Sequence, residues 1–318
     1  MESSRPYKNA AASPHHRAAS RVLMVEPVHF RYNRQTGDTN VFQTAPSPEE
    51  EVRLSALAVE EHRQLRELLT HHGVTLTLAT GLEESPDSPF CNNWFSTHPA
   101  EGKYPPTLVL YPLLAENRRL ERSPDLVALL RLAYPRLVDF SPSERKGRFL
   151  ESTGSLVLDH DARTAYAALS PRTDPTLAAE WARDLGYRLV TFTAVDGSGV
   201  PYYHTNVVMF IGHGLAGICL EAITSRDERG LVEERLRQDR KEILALTREQ
   251  VANFCGNCLA LAGRNQEELF VMSSQAWRAF TPVQRIAIER HGRIIHTELQ
   301  AFERLGGGSA RCLIAELF

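Results

Sequence analysis

Apolar residues recur along the chain in short blocks of two kinds. The first kind is a strand-length run opened by a small polar residue. It appears as Thr39-Asn40-Val41-Phe42, Asn92-Asn93-Trp94-Phe95, Thr153-Gly154-Ser155-Leu156-Val157-Leu158, Thr205-Asn206-Val207-Val208-Met209-Phe210, Gly256-Asn257-Cys258-Leu259-Ala260-Leu261 and Ala310-Arg311-Cys312-Leu313-Ile314. With Asn40, Asn93, Gly154, Asn206, Asn257 and Arg311 as marks, the steps are 53, 61, 52, 51 and 54 residues. Spacing this even predicts an internal repeat of about 50–60 residues.

The second kind has helical period. Residues 49–72 place Val52, Leu54, Leu57, Val59, Leu65, Leu68 and Leu69 before a stop at Gly73. The strand 74–78 follows, alternating Val, Thr, Leu, Thr, Leu. The same succession predicts helix 125–134 then strand 136–140, and helix 175–186 then strand 187–192. A charged helix is expected over 225–245, and another over 274–288 after strand 269–272. Each unit reads strand, strand, helix, strand. The prediction is an α/β chain of repeated modules closed into one domain, with the polar marks meeting at a shared axis.

Composition narrows the function. The 318 residues are 42% hydrophobic, enough for a sizeable core. A net charge of -3 gives no electrostatic case for nucleic acid or an anionic membrane. No apolar run reaches the roughly 18 residues that span a bilayer. Residues 1–21 are polar and lack the apolar middle of a secretory signal, so a disordered tail is expected there. Five cysteines without a regular framework imply free thiols in a reducing cytoplasm.

Chemistry concentrates at the C-terminal segment. Gly306-Gly307-Gly308 lets the backbone turn tightly, and Cys312 then stands at the entry to a buried strand, a rigid place for a nucleophile. Glu151 and His204 stand at equivalent points of two other repeats. Together they form the set that nucleophilic catalysis needs: a thiolate, an acid/base, and a carboxylate that orients the base.

These residues carry a family resemblance. The stretches 24–30, 33–43, 90–98, 117–122, 151–159, 203–207, 253–257 and 306–318 resemble the amidinotransferase and guanidine-modifying (pentein) superfamily. Within it they look most like the bacterial citrulline-utilisation hydrolases of the citrulline ureidase type. The resemblance implies a five-fold pseudo-symmetric β/α propeller over residues 22–318 with the site on its axis. It implies Cys312 as nucleophile, His204 as general acid/base and Glu151 as the carboxylate that orients it. Two positions that are usually guanidinium-clamping aspartates in the superfamily match Asn93 and Asn206 here.

Both departures run in one direction. A guanidinium is a cation with N–H donors only and favours carboxylates. A ureido group is neutral and offers an acceptor as well as donors, as an Asn amide does. Asn93 and Asn206 therefore suit citrulline better than arginine, unless Asp38 or Asp87 enters the site and restores a negative charge. The expected reaction is hydrolysis of citrulline to ornithine, carbon dioxide and ammonia through a covalent cysteine intermediate. The substrate carboxylate needs a cation, for which Arg118 and Arg119 are candidates. No metal or cofactor is required, and the expected partner is a small amino acid. Homo-oligomerisation is compatible with this reading.

Other signals carry less. Cys255-Gly256-Asn257-Cys258 has C-x-x-C spacing but no second pair, and strand alternation would separate its side chains, so packing is expected. The three glycines are not followed by Lys-Ser/Thr and a helix, so they form no phosphate loop. The alternatives within enzymes are an arginine deiminase, a dimethylarginine dimethylaminohydrolase or an amidinotransferase. The alternative of another class is a non-catalytic propeller that binds an amino acid.

Overall fold

The computed structural model describes residues 18–102 and 104–318. Its strands form five separate three-stranded sheets arranged as a five-fold repeat. The chain opens with β1 (Arg21–Glu26) and β2 (Thr75–Thr80). Three complete sheets follow: β3 (Phe95–His98), β4 (Thr107–Leu110) and β5 (Arg136–Asp139); β6 (Val157–Asp159), β7 (Thr164–Ala168) and β8 (Arg188–Phe192); β9 (Met209–Ile211), β10 (Leu215–Ile218) and β11 (Glu242–Ala245). The fifth is β12 (Leu259–Ala262), β13 (Glu268–Ser273) and β14 (Arg293–Thr297), and β15 (Ala315–Glu316) then joins β1 and β2.

Every sheet repeats one connection rule. The first two strands pair antiparallel and the third returns parallel to the second. A parallel return needs a crossover, and helices supply it: Pro48–His71, Pro124–Arg131, Pro175–Leu185, Arg226–Gln238 and Pro282–Glu289. Each starts at a polar cap, Ser47, Ser123, Asp174, Ser225 or Thr281, whose side chain accepts from a first-turn amide. Four of them carry Pro just inside the cap, where its missing N–H costs nothing. Helix Pro48–His71 turns Leu54, Ala58, Leu65 and Leu69 inward. The middle strands are buried on both faces, as β7 and β13 show along their whole lengths.

The first sheet takes its opening strand from the far end of the chain. β15 pairs antiparallel with β1, Val22 opposite Glu316 and Leu23 opposite Ala315. Thr97 donates its hydroxyl to the Glu316 carbonyl and accepts from the Phe318 amide, and the Tyr134 hydroxyl donates to the Phe318 carbonyl. These bonds tie the closure to the second sheet. First strands of successive sheets touch one another, β15 to β3, β6 to β9 and β9 to β12, so they line the axis of the α/β propeller.

Three sequence expectations need correction. Thr39-Asn40-Val41-Phe42 forms no strand; it lies in a covering segment whose Asn40 amide donates to the Gly306 carbonyl. The closure makes that sixth block redundant, because five opening strands are already supplied. The expected helix over 225–245 ends at Gln238, and β11 follows a turn with Arg240 at φ 59°. The expected helix over 274–288 breaks into Ser274–Ala279 and Pro282–Glu289, since Pro282 opens a fresh helix under the Thr281 cap. Most of the expected tail lies outside the described residues, but Ala19 is buried and its carbonyl accepts from the Ala262 amide. Among the described residues, no helix is long and apolar enough to cross a membrane.

Removing residues 315–318 would unpair β1 and expose its apolar edge. The melting temperature should fall by about 10 °C, given roughly 2–4 °C per kcal/mol for a domain of this class. An unchanged thermal transition would contradict closure by β15.

Candidate active site

The polar turns that precede the first strands converge on the axis. Cys312 lies in the turn Ala310–Leu313 before β15, Asn93 in Cys91–Asn93 before β3, and Asn206 in Thr205–Val207 before β9. Glu151 caps the turn Ser152–Ser155 before β6, and His204 leads into the β9 turn. Next to Glu151, Ser152 is held at φ 45° while its hydroxyl donates to the Phe95 carbonyl. A non-glycine residue in this region is strained and is retained where the surroundings dictate it.

A small cavity of about 10 Å³, room for one water, is lined by Cys312, His204, Asn93, Arg118, Arg172 and Asp87 among others. His204 Nε2 lies 2.8 Å from Glu151 Oε2, and both residues are essentially fully buried. The Leu114 amide donates to Glu151 Oε1 at 3.0 Å, and Arg172 Nη1 stands 3.4 Å from Oε2. Burial pushes the Glu151 pKa up, but Arg172 and His204 outweigh it and hold the carboxyl well below its usual range. For His204 burial wins over the Glu151 carboxylate and lowers the pKa to about 4. The resting pair is therefore a carboxylate accepting from a neutral imidazole. The carboxylate fixes the proton on Nε2, which leaves Nδ1 as the basic ring atom.

Gly154 makes room for this ring. A Cβ there would stand 2.6 Å from Asn93 Nδ2 and from His204 Cε1. Gly307, at φ 61°, turns the chain toward Cys312 in a conformation side chains disfavour. Its carbonyl accepts from the Tyr203 hydroxyl at 2.6 Å, which ties the glycine loop to the segment carrying His204. Burial pushes the Cys312 thiol up; hydrogen bonds from Asn257 and the Ser309 amide work against that rise.

The two arginines singled out from sequence separate. Arg118 is buried against Glu121, Nε to Oε1 at 2.8 Å and Nη2 to Oε2 at 3.0 Å. Its Nη1 donates to Asn93 Oδ1 at 2.8 Å, and Nη2 also donates to the Phe90 carbonyl. Arg119 turns away from the cavity, donates to the Leu113 and Leu114 carbonyls, and faces Glu144. Asp87 does enter the site, 2% exposed, whereas Asp38 does not line the cavity. Asp87 Oδ2 accepts from Asn33 and Thr36, while its buried Oδ1 has no hydrogen-bond partner among the described residues. Burial raises the Asp87 pKa against the pull of Arg118.

Arg172 and Asn257 escaped the sequence reading. Arg172 lies 3% exposed in the cavity wall, stacks on the Tyr203 ring, and donates to the Thr36 carbonyl and the Thr39 hydroxyl. It sits in a loop after β7, where nothing in the local pattern marks it. Asn257, used above only as a repeat mark, donates to Cys312 Sγ at 3.3 Å. Asn206 approaches the sulfur less closely, at 3.8 Å, and otherwise lines a second cavity along the axis with Val157, Met209 and Arg311. The C-x-x-C cysteines lie in the core: Cys255 donates to the Ala276 carbonyl and Cys258 to the Cys255 carbonyl, in a turn rather than on a strand. Among the described residues no cluster of His, Cys, Asp and Glu could hold a metal ion.

Comparison with known proteins agrees with this architecture. The N-terminal domain of ArgZ, an arginine dihydrolase from the ornithine–ammonia cycle in cyanobacteria, superposes with a TM-score of 0.72 at 17% identity, covering 93% of this chain and 97% of that one. AgrE with L-arginine bound gives 0.73 at 19% identity, covering 94% of this chain but 40% of AgrE. A dimethylarginine dimethylaminohydrolase adduct gives 0.63 at 16% identity, covering 94% of this chain and all of that one. A search of curated sequences finds no match. The profile of the eukaryotic N,N-dimethylarginine dimethylhydrolase family matches residues 26–318, nearly the whole described chain, and the chain therefore belongs to that family, within the pentein (amidinotransferase) superfamily.

Proposed function

We propose that the protein is a cysteine hydrolase of a ureido amino acid, with citrulline as its substrate. The observation that carries this reading is the Arg118–Asn93 contact. Arg118 has only donors, so the group of Asn93 that faces it is the carbonyl oxygen. The Asn93 amide nitrogen then points the other way, gives one hydrogen to Asn92 Oδ1 at 3.0 Å, and has a second for the cavity. A donor suits the ureido oxygen and offers nothing to a guanidinium.

The end of the cavity lined by Arg172 and Asp87 suits an α-amino acid. Arg172 can receive a carboxylate, and Asp87, with Oδ1 unpaired, can receive an ammonium. The segment 33–43 covers this end through the contacts of Asn33, Thr36, Thr39 and Asn40. The cavity beneath holds about one water, so this segment must lift to admit substrate.

The chemistry follows from the residue placement. Cys312 Sγ gives its proton to His204 Nδ1, and the thiolate attacks the ureido carbon while Asn93 holds the oxygen. His204 returns the proton to the departing nitrogen, leaving a thiocarbamate on Cys312. Water activated by His204 cleaves the thiocarbamate. Citrulline and one water become ornithine, carbon dioxide and ammonia, with no redox change. Glu151 keeps Nε2 occupied and the ring oriented throughout.

A second reading has a specific motive. ArgZ, a structural neighbour, is an arginine dihydrolase; the same site would then act on arginine first and on citrulline second. It would need Asp87 to accept the guanidinium.

Purified protein should release ornithine and ammonia from citrulline, and Cys312→Ser should abolish the release. Faster turnover of arginine or dimethylarginine than of citrulline would overturn the substrate assignment. Asn93→Asp should shift the ratio of kcat/KM values toward arginine by about 100-fold, since a charge-assisted partner replaces a neutral donor; an unchanged ratio would contradict the role of Asn93. Gly154→Ala should lower kcat about 100-fold by displacing the His204 ring, and wild-type kcat in that variant would contradict the required fit. In an NMR titration the His204 imidazole should stay neutral down to pH 5, because burial lowers its pKa to about 4; a midpoint near 6.5 would contradict that environment.

A further inference from the structure

We propose that Asn257 is a further catalytic residue, whose amide N–H holds the Cys312 sulfur as a thiolate. The inference rests on Cys312 being the nucleophile. Asn257 is 1% exposed and its side chain is fixed on three sides. Its Oδ1 accepts from the Ser309 amide at 3.2 Å, and its Nδ2 donates to the Asn206 carbonyl at 2.9 Å. A backbone N–H must meet the oxygen and a backbone C=O must meet the nitrogen, so the amide has one orientation. The atom left 3.3 Å from Cys312 Sγ is therefore a donor. A donor favours the thiolate over the thiol.

The rest of the cysteine turn keeps that donor in register. The Arg311 amide donates to the Asn257 carbonyl at 3.3 Å, and the Cys312 amide to the Ser309 carbonyl at 3.0 Å. The Ser309 hydroxyl donates to Glu303 Oε1 at 2.7 Å, and Glu303 is itself buried in the wide turn Phe302–Gly306. Glu303 and the Ser309 hydroxyl do not touch the sulfur; they are positioning groups acting through Asn257, while the Ser309 amide itself adds a hydrogen bond to the sulfur. The need for such a donor follows from the substrate. A neutral ureido group brings no cation to stabilise the thiolate, and burial disfavours it. Asn206 stands farther off at 3.8 Å. The titratable groups around the sulfur are His204, Tyr203, Asp87, Arg118 and Arg172 across the cavity and Arg311 on its own turn.

The test reads the thiol directly, without substrate. Alkylation of Cys312 by iodoacetamide is followed against pH by peptide mass spectrometry in the full chain. Asn257→Asp keeps an acceptor for Ser309 and removes the donor to sulfur. Its alkylation midpoint should rise by about one pH unit or more, with a rate at pH 7.5 about tenfold lower, as expected for loss of one hydrogen bond to a charged group. Should that variant fail to fold by circular dichroism, Asn257→Ser, whose hydroxyl is too short to reach the sulfur, should show the same shift. Ser309→Ala should move the midpoint in the same direction by less. A wild-type midpoint in a folded Asn257 variant would overturn the proposal. A shifted midpoint supports it even where citrulline is not turned over, which would fault only the substrate. Undiminished turnover by Cys312→Ser would remove the nucleophile and this role together.

Discussion

Closure of the ring by β15 on β1 is the constraint on which the site depends. Cys312 belongs to the turn before β15, and its partners lie in turns before β3, β6, β9 and β12. None of these turns is near Cys312 in sequence. Only a closed ring of five sheets brings their polar ends to one axis, and the two-residue pairing of Val22 and Leu23 with Glu316 and Ala315 completes it. The contacts of Thr97 and Tyr134 to the same segment make closure a property of two sheets. Local order around Cys312 thus comes from the whole chain, as preorganised sites require.

The charges in the cavity are buried but paired. Arg118 leans on Glu121 and Arg172 on Glu151, each pair desolvated together. Such pairs contribute little to stability compared with apolar packing. Their value here is orientation. Glu121 and the Phe90 carbonyl hold Arg118, Arg118 sets the Asn93 amide, and that amide leaves one donor toward the cavity. Arg172 links Glu151 to the covering segment through Thr36 and Thr39. The cover is thereby linked through Arg172 to the carboxylate that holds His204.

The sequence showed the repeat because each module carries the same physical instructions. A polar cap, followed by Pro in four of the five, starts each crossover helix, and an apolar run follows each polar turn. It misplaced Asn40 as an opening mark because a loop that packs over a core can carry the same polar–apolar signature as a strand entry. It merged two helices across Pro282 and overran one at Gln238, where local periodicity continued past the tertiary stop. Cys312, His204, Glu151 and Asn93 were visible as polar groups at repeat-equivalent positions; in the structure the first, second and last line one cavity, and Glu151 stands behind His204. Arg118 and Arg119 were indistinguishable as neighbours of one type; the short turn Glu116–Glu121 sends only the first inward. Arg172 lay in a connecting loop with no pattern of its own. Asn257 was seen but read as a spacer, since its role depends on a hydrogen bond to a residue far away in sequence.

The most direct measurement is mass spectrometry of the Cys312 peptide after acid quench during turnover. With citrulline we expect a thiocarbamate adduct on Cys312, absent when the substrate is arginine, and its mass will report which nitrogen leaves first. An adduct formed from arginine but not from citrulline, or one carried by another cysteine, would contradict a ureido hydrolase built on Cys312.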